Sequence, residues 1–113
     1  MAETRSTDRS ARVYRVDRFV VPPAAREEFL ENVRRTHDLL RTLPGFVQDF
    51  VLEQSAGPGE FNLVTFVEWE SAESIESAKS AVMAMQRERG FDPRELMARL
   101  GIRADIGNYR LLF

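Results

Sequence analysis

Apolar residues along the chain fall into two spacings, one near two and one near 3.6, which alternate in a definite order. Residues 12–21 are rich in β-branched and aromatic side chains and stop at Pro22-Pro23, which predicts a strand. Proline fits the first turn of a helix, where its missing N–H has no partner to lose. From Pro23 onward Phe29, Leu30, Val33, Leu40 and Leu43 recur at helical spacing, and Pro44-Gly45 ends the run. Residues 46–54 and 61–69 read as two strands joined by the loop Ser55-Ala56-Gly57-Pro58-Gly59-Glu60. Ser71 is a good N-cap for a second helix, with Glu73 and Glu76 near its positive end and Ile75, Ala78, Val82 and Met85 as its apolar stripe. Gly90 closes it. Asp92-Pro93-Arg94-Glu95 has the pattern of a capping box and opens a short helix with Leu96 and Leu100, closed by Gly101. Residues 104–112 supply a last strand.

The order β-α-β-β-α-(short α)-β is that of the ferredoxin-like split β-α-β, an α+β fold with a four-stranded antiparallel sheet. Its helices cover one face of the sheet, so the strands should alternate apolar and polar residues. They do not. Leu63, Val64, Phe66, Val67 and Trp69 place apolar groups on both faces, as do Phe46, Val47, Phe50, Val51 and Leu52. The second face needs a cover, and the same sheet from another copy supplies it with closed two-fold symmetry. A homodimer with facing sheets, a dimeric α+β barrel, is expected.

Composition narrows the function classes. With 113 residues the chain makes one domain, expected over residues 12–113 after a polar, poorly ordered tail at 1–11. Sixteen Lys+Arg against eighteen Asp+Glu, a net charge of −2, give no basic stripe for nucleic acid or an anionic membrane. No apolar stretch approaches the ~20 residues of a spanning helix, and the amino terminus lacks the apolar core of a secretory signal, so a cytoplasmic location is expected. The absence of cysteine excludes disulfides and thiolate chemistry. One histidine, His37, with scattered carboxylates gives no metal constellation.

Leu39-Leu40-Arg41-Thr42-Leu43-Pro44-Gly45-Phe46 resembles the helix-to-strand junction of the antibiotic biosynthesis monooxygenase family. Val67-Glu68-Trp69-Glu70-Ser71-Ala72-Glu73 resembles that family's strand-to-helix junction. Both stretches also have local explanations, as a helix stop and a helix cap. The resemblance runs over residues 12 to 110 and implies a small dimeric α+β barrel. Some members of the family oxygenate aromatic polyketides without a cofactor, some degrade haem, and some act on small signalling molecules. The haem-degrading branch uses an asparagine on the first strand and a tryptophan and histidine on the second helix, positions that align with Asp17, Ala78 and Glu88. No histidine or tryptophan occurs at 71–90, so the resemblance does not extend to haem degradation. The quinone-forming oxygenases end their third strand on a tryptophan that matches Trp69. Their asparagine and tyrosine align with Thr65 and Ile75, so that site is partly present.

Several side chains carry candidate chemistry. His37 falls on the same helical stripe as Phe29, Val33 and Leu40. There it is either a proton acceptor for a bound ligand or a core histidine bonded to a backbone carbonyl. Its neighbour Asp38 is no partner, because adjacent helical residues do not face each other. Trp69 offers an N–H donor on a large apolar plane, for orienting a ligand or for closing the core. Thr65 shares its strand face and adds a hydroxyl, or is simply a good strand former. Phe29 and Leu40 are candidates for an apolar wall. Arg15 and Asp17 share a strand face as an ion pair, a dimer contact or a polar patch in a cavity. Gly57-Pro58-Gly59 leads into a strand rather than a helix, so it is no phosphate cradle, and Met83, Met85 and Met97 read as core fillers. The expected function is a cofactor-independent, monooxygenase-like activity on a small aromatic molecule, a phenol, hydroquinone or polyketide type. The alternatives are a non-catalytic dimeric protein that binds a small hydrophobic ligand, and an isomerase or cyclase on the same scaffold.

Overall fold

The computed structural model describes residues 9–113. The expected tail lies mostly outside that range, and its last part, Arg9–Ala11, forms one 3₁₀ turn. Then follow β1 (Val13–Val20), α1 (Arg26–Leu40), β2 (Phe46–Glu53), β3 (Leu63–Trp69), α2 (Ala72–Glu88), α3 (Pro93–Leu100) and β4 (Arg103–Tyr109). The strands form one antiparallel sheet of four in the order β2-β3-β1-β4, the ferredoxin-like arrangement expected from the element order.

The boundaries differ from the pattern at points with local causes. Pro23–Ala25 form a 3₁₀ turn before α1. The helix stops at Leu40, three residues short of Leu43, and Leu43, as the residue before a proline, is disfavoured in the helical region. Tight turns finish the segment, with the Leu43 N–H on the Leu40 carbonyl at 3.1 Å. β3 begins at Leu63 because the Asn62 side chain bonds to the backbone of Val21, accepting from its N–H at 2.8 Å and donating to its carbonyl at 2.9 Å. Asp92 caps α3 through the N–H of Arg94 at 2.9 Å, so the capping-box pattern closes as a tighter turn than the box implies.

The two family-like stretches meet at one corner. The Glu70 N–H donates to the Gly45 carbonyl at 2.8 Å, and Phe46 stands edge-on to Trp69 with ring centres 5.9 Å apart. Gly45 has φ +85°, and a Cβ there would lie 2.0 Å from the Ser74 hydroxyl, so only glycine fits. Ser71 caps α2 by accepting from the Ser74 N–H at 3.2 Å. The corner locks β2, β3 and the start of α2 together.

Strand parity decides what each face carries. Arg15, Asp17 and Phe19 of β1 and Leu63, Thr65, Val67 and Trp69 of β3 point toward the helices, as the pairings Asp17↔Thr65 and Val13↔Trp69 require. Tyr14, Val16, Val64 and Phe66 point the other way. A bulge at Val47 shifts β2, so that Phe46 and Asp49 both lie on the helix side while Gln48, Phe50 and Leu52 take the open side. The core forms two clusters. One gathers Phe19, Phe29, Val33, Leu63 and Leu96 near α3, the other Val67, Trp69, Ile75 and Ala78 under α2. Arg15, Asp17, Thr65 and His37 make a polar band between them.

Candidate functional site

A cleft between the sheet and the helices follows that polar band. It has two lobes that share Arg15, Asp17, Thr36, His37, Thr65 and Val82 as their common walls. The lobe under α2 encloses about 210 Å³ and adds Leu40, Val67, Trp69 and Ile75. The lobe beside α3 encloses about 370 Å³ and adds Phe29, Asn32, Val33, Leu96 and Ile106. Every candidate residue therefore lines the same cleft. His37, Thr65, Arg15 and Asp17 stand at its waist, Trp69 and Leu40 in one lobe, and Phe29 in the other. Leu40 and Phe29 are walls of opposite ends rather than of one pocket, because they lie eleven residues apart on α1.

His37 is 5% exposed, and its partner is a carboxylate rather than the backbone carbonyl of a core histidine. Its Nδ1 lies 2.8 Å from Asp49 Oδ2 on β2. Arg41, one helical turn further along, approaches the same carboxylate at 3.1 Å. A carboxylate on Nδ1 fixes the ring's orientation and tautomer, which leaves Nε2 as the acceptor nitrogen. The sequence pattern does not single out Asp49. Its signal is a carboxylate in the middle of an apolar strand, and only the bulge at Val47 turns it toward His37.

Arg15 and Asp17 form an ion pair through the guanidinium Nε and a carboxylate oxygen. Burial pushes the Asp17 carboxyl above its ordinary value of 3.8, and the hydrogen bond and charge of Arg15, with the charge of His37, offset that only in part. Trp69 is 2% exposed, so it closes the core and faces the cleft at once. Among the described residues no three His, Asp or Glu side chains converge as metal ligands.

The fold and cleft define a small ferredoxin-like α+β protein with a ligand-sized cavity under its helices. The sequence matches the family model described as antibiotic biosynthesis monooxygenase over residues 12–85, and the chain belongs to that family. At that level it is monooxygenase-like. Solved structures share the fold at low identity. SnoaB from Streptomyces nogalater, a cofactor-independent oxygenase, is 20% identical with a TM-score of 0.64, covering 91% of this chain and 95% of its own. MhuD, in a structure with two manganese protoporphyrin IX molecules per active site, is 18% identical with a TM-score of 0.67, covering 89% and 95%. Rv0793 from Mycobacterium tuberculosis is 17% identical with a TM-score of 0.63, covering 90% and 96%. No curated protein matches the chain. Among the described residues no helix is long and apolar enough to cross a membrane.

Proposed function

We propose that the protein oxygenates a small electron-rich aromatic, a phenol or hydroquinone, without a cofactor, and works as a homodimer. The observation that carries the reading is the buried His37–Asp49 pair at the waist of the cleft, beside Thr65 and within one lobe of Trp69. His37 Nε2 takes the phenol proton. The phenolate gives one electron to O₂, and superoxide and the phenoxyl radical join at a ring carbon. The ring-bound peroxide takes the proton back from His37, and loss of water, with the hydrogen of that ring carbon, leaves the quinone. The sum is phenol plus O₂ to quinone plus water, with one atom of O₂ in each product and every electron drawn from the substrate. Thr65 and the Trp69 N–H orient the oxygen substituents. Phe29 and Leu40 exclude water from the two ends, while Arg15 holds Asp17 away from the phenolate.

The test is oxygen uptake with a panel of phenols and hydroquinones. The parent protein should consume O₂, and His37→Gln should bind the same compounds with a rate lower by ~10²–10⁴. Uptake by His37→Gln at the parent rate moves the site elsewhere. Binding without any conversion favours the ligand-binding alternative, and conversion without O₂ favours an isomerase or cyclase.

A second copy is the occupant proposed for the open face of the sheet. Phe66 stacks there between Tyr14 and Phe50 at 5.7 and 5.8 Å, and Phe50 and Leu52 are 49% and 54% exposed. Such an apolar surface, matched to itself by a two-fold axis, is how a sheet dimer closes. Sedimentation at micromolar concentration should give twice the 13.0 kDa chain mass; a well-folded monomer overturns the assembly.

A further inference from the structure

Of the groups at the waist, Arg15 has the most left to bind. Register turns it toward the helices, where it lines both lobes of the cleft with its side chain 31% exposed. Asp17, two residues on and on the same strand face, takes its Nε–H. Among the described residues no other group bonds to the Arg15 side chain, so its two terminal nitrogens stay open. A guanidinium presents its donors as a rigid fork. The carboxylate on Nε fixes the plane of that fork without filling its end.

The charges around the cleft favour an anion at that point. Strand β1 brings Arg15 and Asp17, α1 brings His37 with Asp49 of β2 bonded to it, α2 brings Lys79 and α3 brings Arg94. The lining residues of β3 and β4 are uncharged. Among the described residues Asp17 is the one carboxylate lining either lobe, against the three permanent cations Arg15, Lys79 and Arg94, in a chain of net charge −2. Lys79 and Arg94 are exposed, whereas Arg15 is partly buried, and its partner Asp17 is close enough to His37 to feel its charge. A partly buried cation attracts an anion more strongly than a solvated one does.

We infer that Arg15 is a further catalytic residue, whose terminal nitrogens form an oxyanion site at the waist and donate to the phenolate oxygen of the substrate. The proton passes from the phenol oxygen to His37 Nε2, and the guanidinium keeps all its own protons while it bonds to the oxygen left behind. The inference rests on the reading of the cleft as the site of a phenol, and it adds the group that holds the anion once the base has acted. Donors fixed in place before charge develops are a large part of catalysis, because nothing has to reorganise when the charge appears. Asp17 supplies that fixing through Nε.

Absorbance titration with 4-nitrophenol tests it, with 4-nitroanisole as the probe that cannot ionise. The nitro group makes the phenol too electron-poor to be oxidised, so binding is read without turnover, and its yellow phenolate band reports ionisation directly. At a pH about one unit below the probe's own midpoint in water, about a tenth of the free probe is ionised. The parent protein should bind it mainly as phenolate. Arg15→Gln should lower the ionisation constant of the bound probe at least about tenfold while binding 4-nitroanisole as the parent does. His37→Gln should keep the phenolate band, because the oxyanion site does not depend on the base. A neutral probe in the parent overturns the inference, as does a band that persists in Arg15→Gln. Loss of the band in His37→Gln overturns it too, and decides even if Arg15→Gln does not fold. Failure of both probes to bind the parent overturns the cleft reading and this inference with it. Phenolate binding without oxygen uptake from electron-rich phenols leaves Arg15 as the oxyanion site and overturns only the oxygenase chemistry.

Discussion

The two faces of the sheet carry the residues each would be expected to lack. Under the helices, where packing favours apolar groups, Arg15, Asp17 and Thr65 interrupt the core. On the face without helices stand Tyr14, Val16, Val64, Phe66, Phe50 and Leu52. Buried polar groups cost stability unless paired, and exposed apolar patches invite association. The inversion makes sense when the helix side is built around a cleft and the other side around a partner. The carboxylates show the same contrast. On the helix side burial dominates and raises the Asp17 carboxyl. On the open side burial also opposes the charge of Glu68, but hydrogen bonds from Gln48 and Arg12, with the charge of Arg12 and a bond from Tyr14, outweigh it and lower that carboxyl.

The largest way to break this contrast is a charge on the open face. Phe66→Glu should convert the proposed dimer to monomer in sedimentation, since burying an unpaired charge there costs several kcal/mol. A Phe66→Glu protein that remains a dimer would show that the sheets do not face each other.

Neutral replacements of the two carboxylates should move stability in opposite directions. Glu68 titrates lower when folded, so its contribution is complete above the ordinary value of 4.5 and is lost as pH falls through the depressed value. Glu68→Gln should therefore lower the melting temperature at pH 7, by about 1–3 kcal/mol in stability. Asp17 titrates higher when folded, so its ionisation works against folding as pH rises from 3.8 through the raised value. Asp17→Asn should raise the melting temperature at pH 7, and the gain should vanish below pH 3.8. Shifts of the same sign in both variants would dissolve the contrast between the faces.

Within the helix side, Trp69→Phe keeps most of the ring and deletes the N–H. It should weaken turnover more than stability, by about tenfold, the size of one hydrogen bond to the substrate. A large loss of stability with unchanged turnover would reduce Trp69 to packing. The smallest effect expected is none at all. Haemin with a reductant and catalase present should keep its absorption, although MhuD, solved with two manganese protoporphyrin IX molecules per active site, shares the fold, because Asp17, Ala78 and Glu88 stand at the positions expected to align with the residues of the haem-degrading branch. Stoichiometric loss of that absorption would mean that those positions correspond differently.

Element order, helix caps and helix stops were legible in the chain because each is settled by neighbours within a few residues. Ser71 needs only the N–H of Ser74, and Pro44-Gly45 ends α1 by its own backbone preferences. The stripe of Phe29, Val33 and His37 was equally legible, since a helix brings such residues to one face whatever surrounds it. What those residues meet was not. Asp49 reaches His37 because one extra residue at Val47 reverses the parity of β2, and a strand's pattern of apolar positions does not reveal where a bulge falls. The cleft exists because α1, α2 and α3 meet the sheet as two apolar clusters with a polar band between them, and the open fork of Arg15 lines a cavity only once that packing is in place. Local chemistry sets the elements; contacts between residues far apart in the chain decide which side chains share a site, because they depend on register and docking that no short window contains.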